Sequence, residues 1–136
     1  MLGYVAQVQD RPPYAELLNV EVERGDGEII VNMPFADDVV GRPGFLHGGA
    51  IAGLLEIAAF TALREKLAND SVRMKPVTVT VDYMRPGSGH PTRASAHVQR
   101  LGTNIANVEA FAWQKDRDEP IATARINFLL ERGPDA

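Results

Sequence analysis

The sequence predicts an α+β domain in which a strongly curved antiparallel sheet wraps one long central helix, in the order β-β-α-β-β-β-β. Three observations carry this expectation. Residues 50–63 read AIAGLLEIAAFTAL, a run rich in alanine and leucine and too long for a strand, so it is a helix. Further on, Val77, Val79, Val81 and Tyr83 alternate with Thr78, Thr80 and Asp82, the period of two of a strand. The helical run is apolar nearly all round, which a single flat sheet cannot cover. The sheet is therefore expected to wrap it, with a second subunit covering the remainder.

Residues 1–13 are expected to form an N-terminal arm that ends in the breaker Pro12-Pro13. A short helical turn over Tyr14–Leu18 follows. Two β-like runs, Leu18–Arg24 and Glu28–Met33, flank Gly25-Asp26-Gly27, a hairpin turn because glycine tolerates positive φ. Residues Pro34–Leu46 carry two prolines, two glycines and Asp37-Asp38, and read as loop. The helix is expected from Gly48 to Leu67, about 30 Å long. Arg64-Glu65-Lys66 exposes its far end and Asn69-Asp70 stops it. Pro86-Gly87-Ser88-Gly89 ends the next strand. Thr92–Leu101 and Ile105–Gln114 meet at Gly102-Thr103-Asn104, and the charged turn Lys115–Glu119 leads into Ile121–Leu130. Four consecutive strands with short links predict an antiparallel meander.

At 136 residues the chain is expected to be a single domain spanning 1–136, large enough to bury a core without staples. Hydrophobic residues make up 45% and charged residues 24%, which excludes whole-chain disorder. The absence of cysteine excludes a disulfide scaffold, cysteine-ligated zinc, iron–sulfur clusters and a thiol nucleophile. No apolar run reaches the roughly 18–20 residues of a bilayer crossing, so no membrane partner is expected. The N-terminus lacks a basic segment before an apolar one, so no secretory signal is expected and the expected compartment is the cytoplasm. A net charge of −4 argues against nucleic acid, which calls for a basic face. The charge is uneven: residues 1–71 hold 5 basic and 11 acidic side chains, residues 72–136 hold 9 and 7. The basic second half suits a small phosphorylated ligand.

Two features carry chemistry. Glu56 stands in the apolar helix with no Lys or Arg three or four residues away. Burying an unpaired carboxylate costs several kcal/mol. A carboxyl group so placed is expected to have a raised pKa, which suits a general base or nucleophile; facing solvent through a gap, or pairing with an arginine from elsewhere in the fold, would leave it without that role. The second feature is Leu46-His47-Gly48-Gly49 at the helix start. The first N–H groups of a helix lack partners and carry partial positive charge, and glycine lets a ligand approach the backbone. Such a site can hold an anion or an oxyanion developing on a carbonyl. His47 can orient the loop, stabilise charge or act as acid–base. His90 and His97 have no companions in sequence, and no metal-binding spacing occurs, so no metal is expected. His47 and Glu56 are nine residues apart, about 13.5 Å of rise and half a turn out of phase. Glu56 therefore cannot reach a carbonyl held at its own helix start. One site made from both features needs two antiparallel helices from two subunits, which predicts a symmetric homodimer with two composite sites.

These residues resemble the hotdog-fold acyl-CoA thioesterases, especially the PaaI-like branch, with His47-Gly48-Gly49 at the helix start and Glu56 nine residues after the His. Pro13-Tyr14-Ala15-Glu16-Leu17-Leu18 is similar to that family's opening helical turn, and residues 77–87, VTVTVDYMRPG, to the strand after its helix. The resemblance implies a hotdog domain that hydrolyses an acyl-CoA thioester, in edge-to-edge dimers that commonly pair into tetramers. It implies that the Gly48 N–H of one subunit receives the thioester carbonyl while Glu56 of the other attacks the acyl carbon or activates water. Gly49 would keep the approach open and His47 would support the loop. No cofactor is implied beyond coenzyme A as part of the substrate. Three positions depart from the pattern. Gly41 stands where many relatives carry Asn or Gln. Phe60, next to Thr61, stands where some carry a Ser or Thr that holds water or substrate. Glu56 replaces the Asp common in the branch, which points toward aryl-CoA relatives. Phe60 and Met84 are candidates for an apolar acyl pocket. Arg85, Arg93 and Arg100 are candidates for the coenzyme A phosphates, because guanidinium suits phosphate. Aryl and short or medium acyl groups all fit this reading. Two other functions stay open: dehydration or hydration of a 3-hydroxyacyl thioester with His47 as acid–base, and acyl-CoA binding without turnover.

Overall fold

The computed structural model describes residues 13–133. The arm expected over residues 1–13 lies, up to residue 12, outside them. Helix α1, Pro13–Leu18, leads into strand β1, Glu21–Gly25, and strand β2, Glu28–Met33. Their turn has Asp26 at φ 53° and Gly27 at φ 72°. Two successive positive φ angles match the right-handed twist of the strands they join, which is why the Asp-Gly pair sits there. A short 3-10 turn, Asp37–Val39, interrupts the loop before helix α2, Gly48–Leu67. Four strands follow: β3, Val72–Tyr83; β4, Thr92–Leu101; β5, Ile105–Trp113; and β6, Ala122–Arg132.

Helix α2 begins and ends at the expected residues. Ala68 turns left-handed at φ 52° and its N–H donates to the Arg64 carbonyl at 3.1 Å, which caps the last turn, while the Arg64 guanidinium donates to the Asn69 carbonyl beyond it at 2.8 Å. The Asn69 side chain accepts from the N–H and hydroxyl of Ser71, so the chain cannot continue as helix. Leu54, Leu55, Ala58, Ala59 and Leu63 are buried against the concave face of the sheet. That face is paved with small residues: Ala94 on β4, Ala106, Ala110 and Ala112 on β5, and Ala122 and Ala124 on β6, all buried. Small side chains let a thick helix lie inside a curved sheet. Among the described residues, no helix is long and apolar enough to cross a membrane.

All six strands form one antiparallel sheet in the order β1-β2-β4-β5-β6-β3. The meander is confined to β4-β5-β6. β3 pairs with β6 along nearly its whole length, and β4 takes β2 as its other neighbour. The cause is the link over residues 84–91. Two prolines leave it no tight hairpin, and its Met84 and Arg85 N–H groups bond to the Ile121 carbonyl beyond β5. It thus crosses the end of the sheet instead of folding back. β3 also starts five residues earlier than the alternation suggested. Pro76 is tolerated because β3 is an edge strand, and the pairing slips beside it, between Pro76 and Thr78.

Candidate active site

The loop before α2 is hung from both sides. The Gly41 N–H donates to the Phe45 carbonyl at 3.0 Å, Leu46 N–H to the Gly87 carbonyl at 2.9 Å and His47 N–H to the Val39 carbonyl at 2.8 Å. His47 is the N-cap. Its carbonyl accepts from Ala50 and Ile51, and its imidazole Nδ1 accepts from the Gly49 N–H at 2.8 Å. An accepting Nδ1 carries no proton, so the neutral ring holds its proton on Nε2. This explains Gly49. A Cβ there would lie 2.9 Å from His47 Nδ1, so glycine lets the imidazole close onto the helix. The neighbouring Gly48 N–H has no partner among the described residues.

Gly48 opens into a cleft of about 430 Å³ lined by Ile51, Tyr83, Met84, Arg85, Gly87 and Phe45 among others. Two tyrosines brace the first turn. The Tyr83 hydroxyl donates to the Gly48 carbonyl at 2.8 Å, and the Tyr14 hydroxyl to the Gly49 carbonyl at 3.3 Å. Tyr14 lies so close to α2 that a Cβ on Gly53 would come within 2.3 Å of its ring. Sequence reasoning missed both tyrosines. The available signal was Gly53, a glycine in mid-helix, which marks a close approach.

Glu56 sits on the same helical face as Gly49, Gly53 and Phe60. It is half-buried and forms no hydrogen bond or ion pair among the described residues. It stands about 12 Å along the axis from Gly48. The structure therefore keeps the two chemical features apart within one chain. Phe60 is exposed, with the Arg64 guanidinium 5.8 Å over its ring. Thr61 does not join this face: its hydroxyl donates to the Ile57 carbonyl at 2.7 Å, and it lies about 140° around the helix from Glu56. Gly41 packs against the cap, where a Cβ would lie 3.0 Å from His47 Cα.

Of the three arginines, only Arg85 lines the cleft, and its guanidinium also donates to the Pro120 carbonyl. Arg93 is engaged on the convex face of the sheet, with Glu23 at 2.8 Å and Asn32 at 3.0 Å. Arg100 is at the far end of β4. The groups with clear pKa shifts also lie outside the cleft. Hydrogen bonds from Asn32 and then Arg93 hold the Glu23 carboxyl below its ordinary value. The Arg117 guanidinium does the same for Glu28, and is itself raised by that partner.

Residues 37–129 match the family described as the acyl-CoA thioesterase N-terminal domain. The chain belongs to the hotdog-fold acyl-CoA thioesterases. It is a thioester hydrolase. The medium/long-chain acyl-CoA thioesterase YigI of Escherichia coli K12 is 30% identical over 136 residues, covering 87% of this chain and 85% of that one. The BH2602 protein of Bacillus halodurans, solved with CoA, is 27% identical with a TM-score of 0.80, covering 92% of this thioesterase and 84% of that chain. A conserved protein of Pseudomonas aeruginosa, PA5202, superimposes with a TM-score of 0.82 at 25% identity, covering 93% and 99%. The six-stranded sheet around one helix is thus the hotdog fold.

Proposed function

We propose that this thioesterase hydrolyses medium-chain acyl-CoA esters at two composite sites in a symmetric dimer. The observation that carries the reading is the division of labour at the start of α2. His47 takes the Gly49 N–H, while the Gly48 N–H faces a cleft uncommitted. A thioester carbonyl there accepts one hydrogen bond and feels the positive end of the helix, and both interactions strengthen as its oxygen becomes negative. Glu56 of the same chain is too far away to act, so the carboxylate comes from the partner subunit. It attacks the acyl carbon, or it takes a proton from a water that attacks. The C–S bond breaks, the thiolate leaves as coenzyme A, and the water's elements complete the carboxylic acid. Every group named belongs to the two chains or to the solvent, so no metal or organic cofactor enters the scheme.

The apolar edge of the sheet supports the second subunit. Val77, Val79 and Tyr83 on β3 are about half exposed in one chain, and exposed apolar edges of this kind mark association surfaces. The acyl length rests on two supports. YigI is named for medium and long chains. Phe60 and Met84 remain exposed in one chain and would line an acyl channel closed by the partner. The solved relative with CoA supports coenzyme A as the leaving group.

The test is thiol release from acetyl-, benzoyl-, octanoyl- and palmitoyl-CoA by the wild type and by Glu56→Gln, with the mass in solution read by light scattering. Octanoyl-CoA is expected to give the highest kcat/KM, and the substitution to lower kcat by about a thousandfold. A preference for benzoyl-CoA overturns the acyl assignment. An active Glu56→Gln variant, or an active monomer, overturns the composite site.

A further inference from the structure

The crossover over residues 84–91 forms one wall of the cleft, through Met84, Arg85 and Gly87. It also carries the strut of the oxyanion loop, because the Gly87 carbonyl accepts the Leu46 N–H at 2.9 Å, two residues before Gly48. The fit there is close: a Cβ on Gly87 would lie 2.7 Å from Leu46 Cδ1. A segment with two prolines, outside any strand, has few backbone bonds of its own to hold it in place.

The Ile121 carbonyl holds its first residues through the Met84 and Arg85 N–H groups, and beyond Gly87 one side chain supplies most of the remaining anchors. Gln114 follows the last residue of β5, outside the cleft. Its Oε1 accepts from the Ser88 N–H at 3.0 Å and from the Ser88 hydroxyl at 3.2 Å. Its Nε2 donates to the carbonyls of Ser88 at 3.0 Å and His90 at 3.1 Å, and lies 3.2 Å from the hydroxyl of the buried Thr92. The amide thus meets both the N–H and the C=O of Ser88, as the backbone of a neighbouring strand would. No other side-chain type offers a donor and an acceptor in that planar geometry at that reach, apart from the shorter Asn.

We infer that Gln114 is a positioning residue for catalysis: it latches the crossover at Ser88, and through Gly87 and Leu46 sets the direction of the Gly48 N–H. The path is short: Gln114 amide, Ser88, Gly87 carbonyl, Leu46 N–H, His47, Gly48. This rests on the reading of Gly48 as the seat of the thioester carbonyl. An oxyanion donor turned away from its target stabilises the transition state less while ground-state binding changes little, so the effect falls on kcat.

Gln114→Leu keeps the size and removes every bond. Gln114→Glu keeps the acceptor but faces two carbonyls without a donor at neutral pH. Both are expected to fold and to lower kcat on octanoyl-CoA about ten- to a hundredfold with KM changed less than about threefold. With His90→Asn in both proteins, since the His90 imidazole 2.9 Å from Ser88 Oγ is a second ionisable group at the latch, Gln114→Glu is expected to recover as pH falls, read as the ratio of its kcat to that of the chain with Gln114, because a protonated carboxyl can donate to one carbonyl again. A loss that merely reflects a weaker fold would not recover in acid. Glu56→Gln, assayed alongside, separates the two readings. If that variant is active, the assignment of the site fails. If it is inactive while both Gln114 variants keep the wild-type kcat, the latch fails. Amide exchange in the wild type tests the same link without substitution. A single latch gives the Ser88 and Leu46 N–H groups a common protection factor once their intrinsic exchange rates are divided out, and a Leu46 N–H far better protected than that of Ser88 overturns it.

Discussion

Strands β3 and β6 lie side by side with almost every residue paired, and both alternate apolar and polar side chains. Their fates differ. On β6 every concave residue from Ala122 to Leu130 is buried. On β3 past Pro76 the corresponding residues are covered at best in part: Val81 half-buries against the core, while Val79 is 43% and Tyr83 55% exposed. The β3 pattern is the cleaner of the two in sequence, yet it is the one left partly uncovered. Alternation decides which side chains share a face. Whether that face meets anything depends on the neighbours. β6 has a strand on each side and α2 above it, while β3 is an edge that α2 barely reaches. The same partly uncovered face sends the Tyr83 hydroxyl to the Gly48 carbonyl.

Three changes would break or sharpen this contrast. The largest effect belongs to the covered strand. Phe128→Ala empties a fully buried site on β6 and is expected to cost about 3–5 kcal/mol, read by urea unfolding at neutral pH. A cost below about 1 kcal/mol would mean that β6 is no better packed than β3. Next comes Val79→Lys on the open strand. In one chain a lysine at this position reaches water, so the fold is expected to survive by circular dichroism. Under the proposed dimer the mass halves and thiol release drops about a hundredfold, since each site loses the partner's carboxylate. Unchanged mass and activity would remove β3 from the interface. The smallest effect concerns the convex side, where cover comes from a loop. Arg117 lies 4.6 Å over the Trp113 ring and 5.2 Å over that of Phe111, and bonds to Glu28. Glu28 has a lowered pKa, so its contribution is present above its ordinary value of 4.5 and is lost as pH falls below that through the folded-state value. Both partners are more than a third exposed on the side chain, so Arg117→Met is expected to cost under about 1 kcal/mol at pH 7. That difference should vanish in acid; if it persists at low pH, ring packing and not the ion pair is what Arg117 provides.

Much of this could be read from local sequence. The bounds of α2 followed from an alanine- and leucine-rich run that gives way to Asn69-Asp70. The turn within Gly25-Asp26-Gly27 followed from glycine, which accepts a positive φ cheaply. The site was half legible. His47, Gly48 and Glu56 announced themselves by type and spacing, but the roles of the two adjacent glycines did not. Gly49 serves the imidazole and Gly48 faces the cleft, a distinction set by where one ring nitrogen points. Arg93 and Arg100 were indistinguishable from Arg85 as charges. Glu23 and Asn32, from a different hairpin, claim the first, and the second sits at the wrong end of its strand.

The sequence by itself determined which residues are helical, which strand residues share a face, and that Glu56 and Gly48 stand too far apart on one helix to serve one carbonyl. These are properties of periodicity and rise, and they follow from nearby residues alone. Only the tertiary structure decided that β3 pairs with β6, that its apolar face lies partly uncovered at an edge, that Tyr83 and Tyr14 brace the helix start, and that Gln114 holds the crossover. Each of these joins segments dozens of residues apart. A hydrogen-bond donor or an apolar face carries no mark in the chain of the partner that will satisfy it.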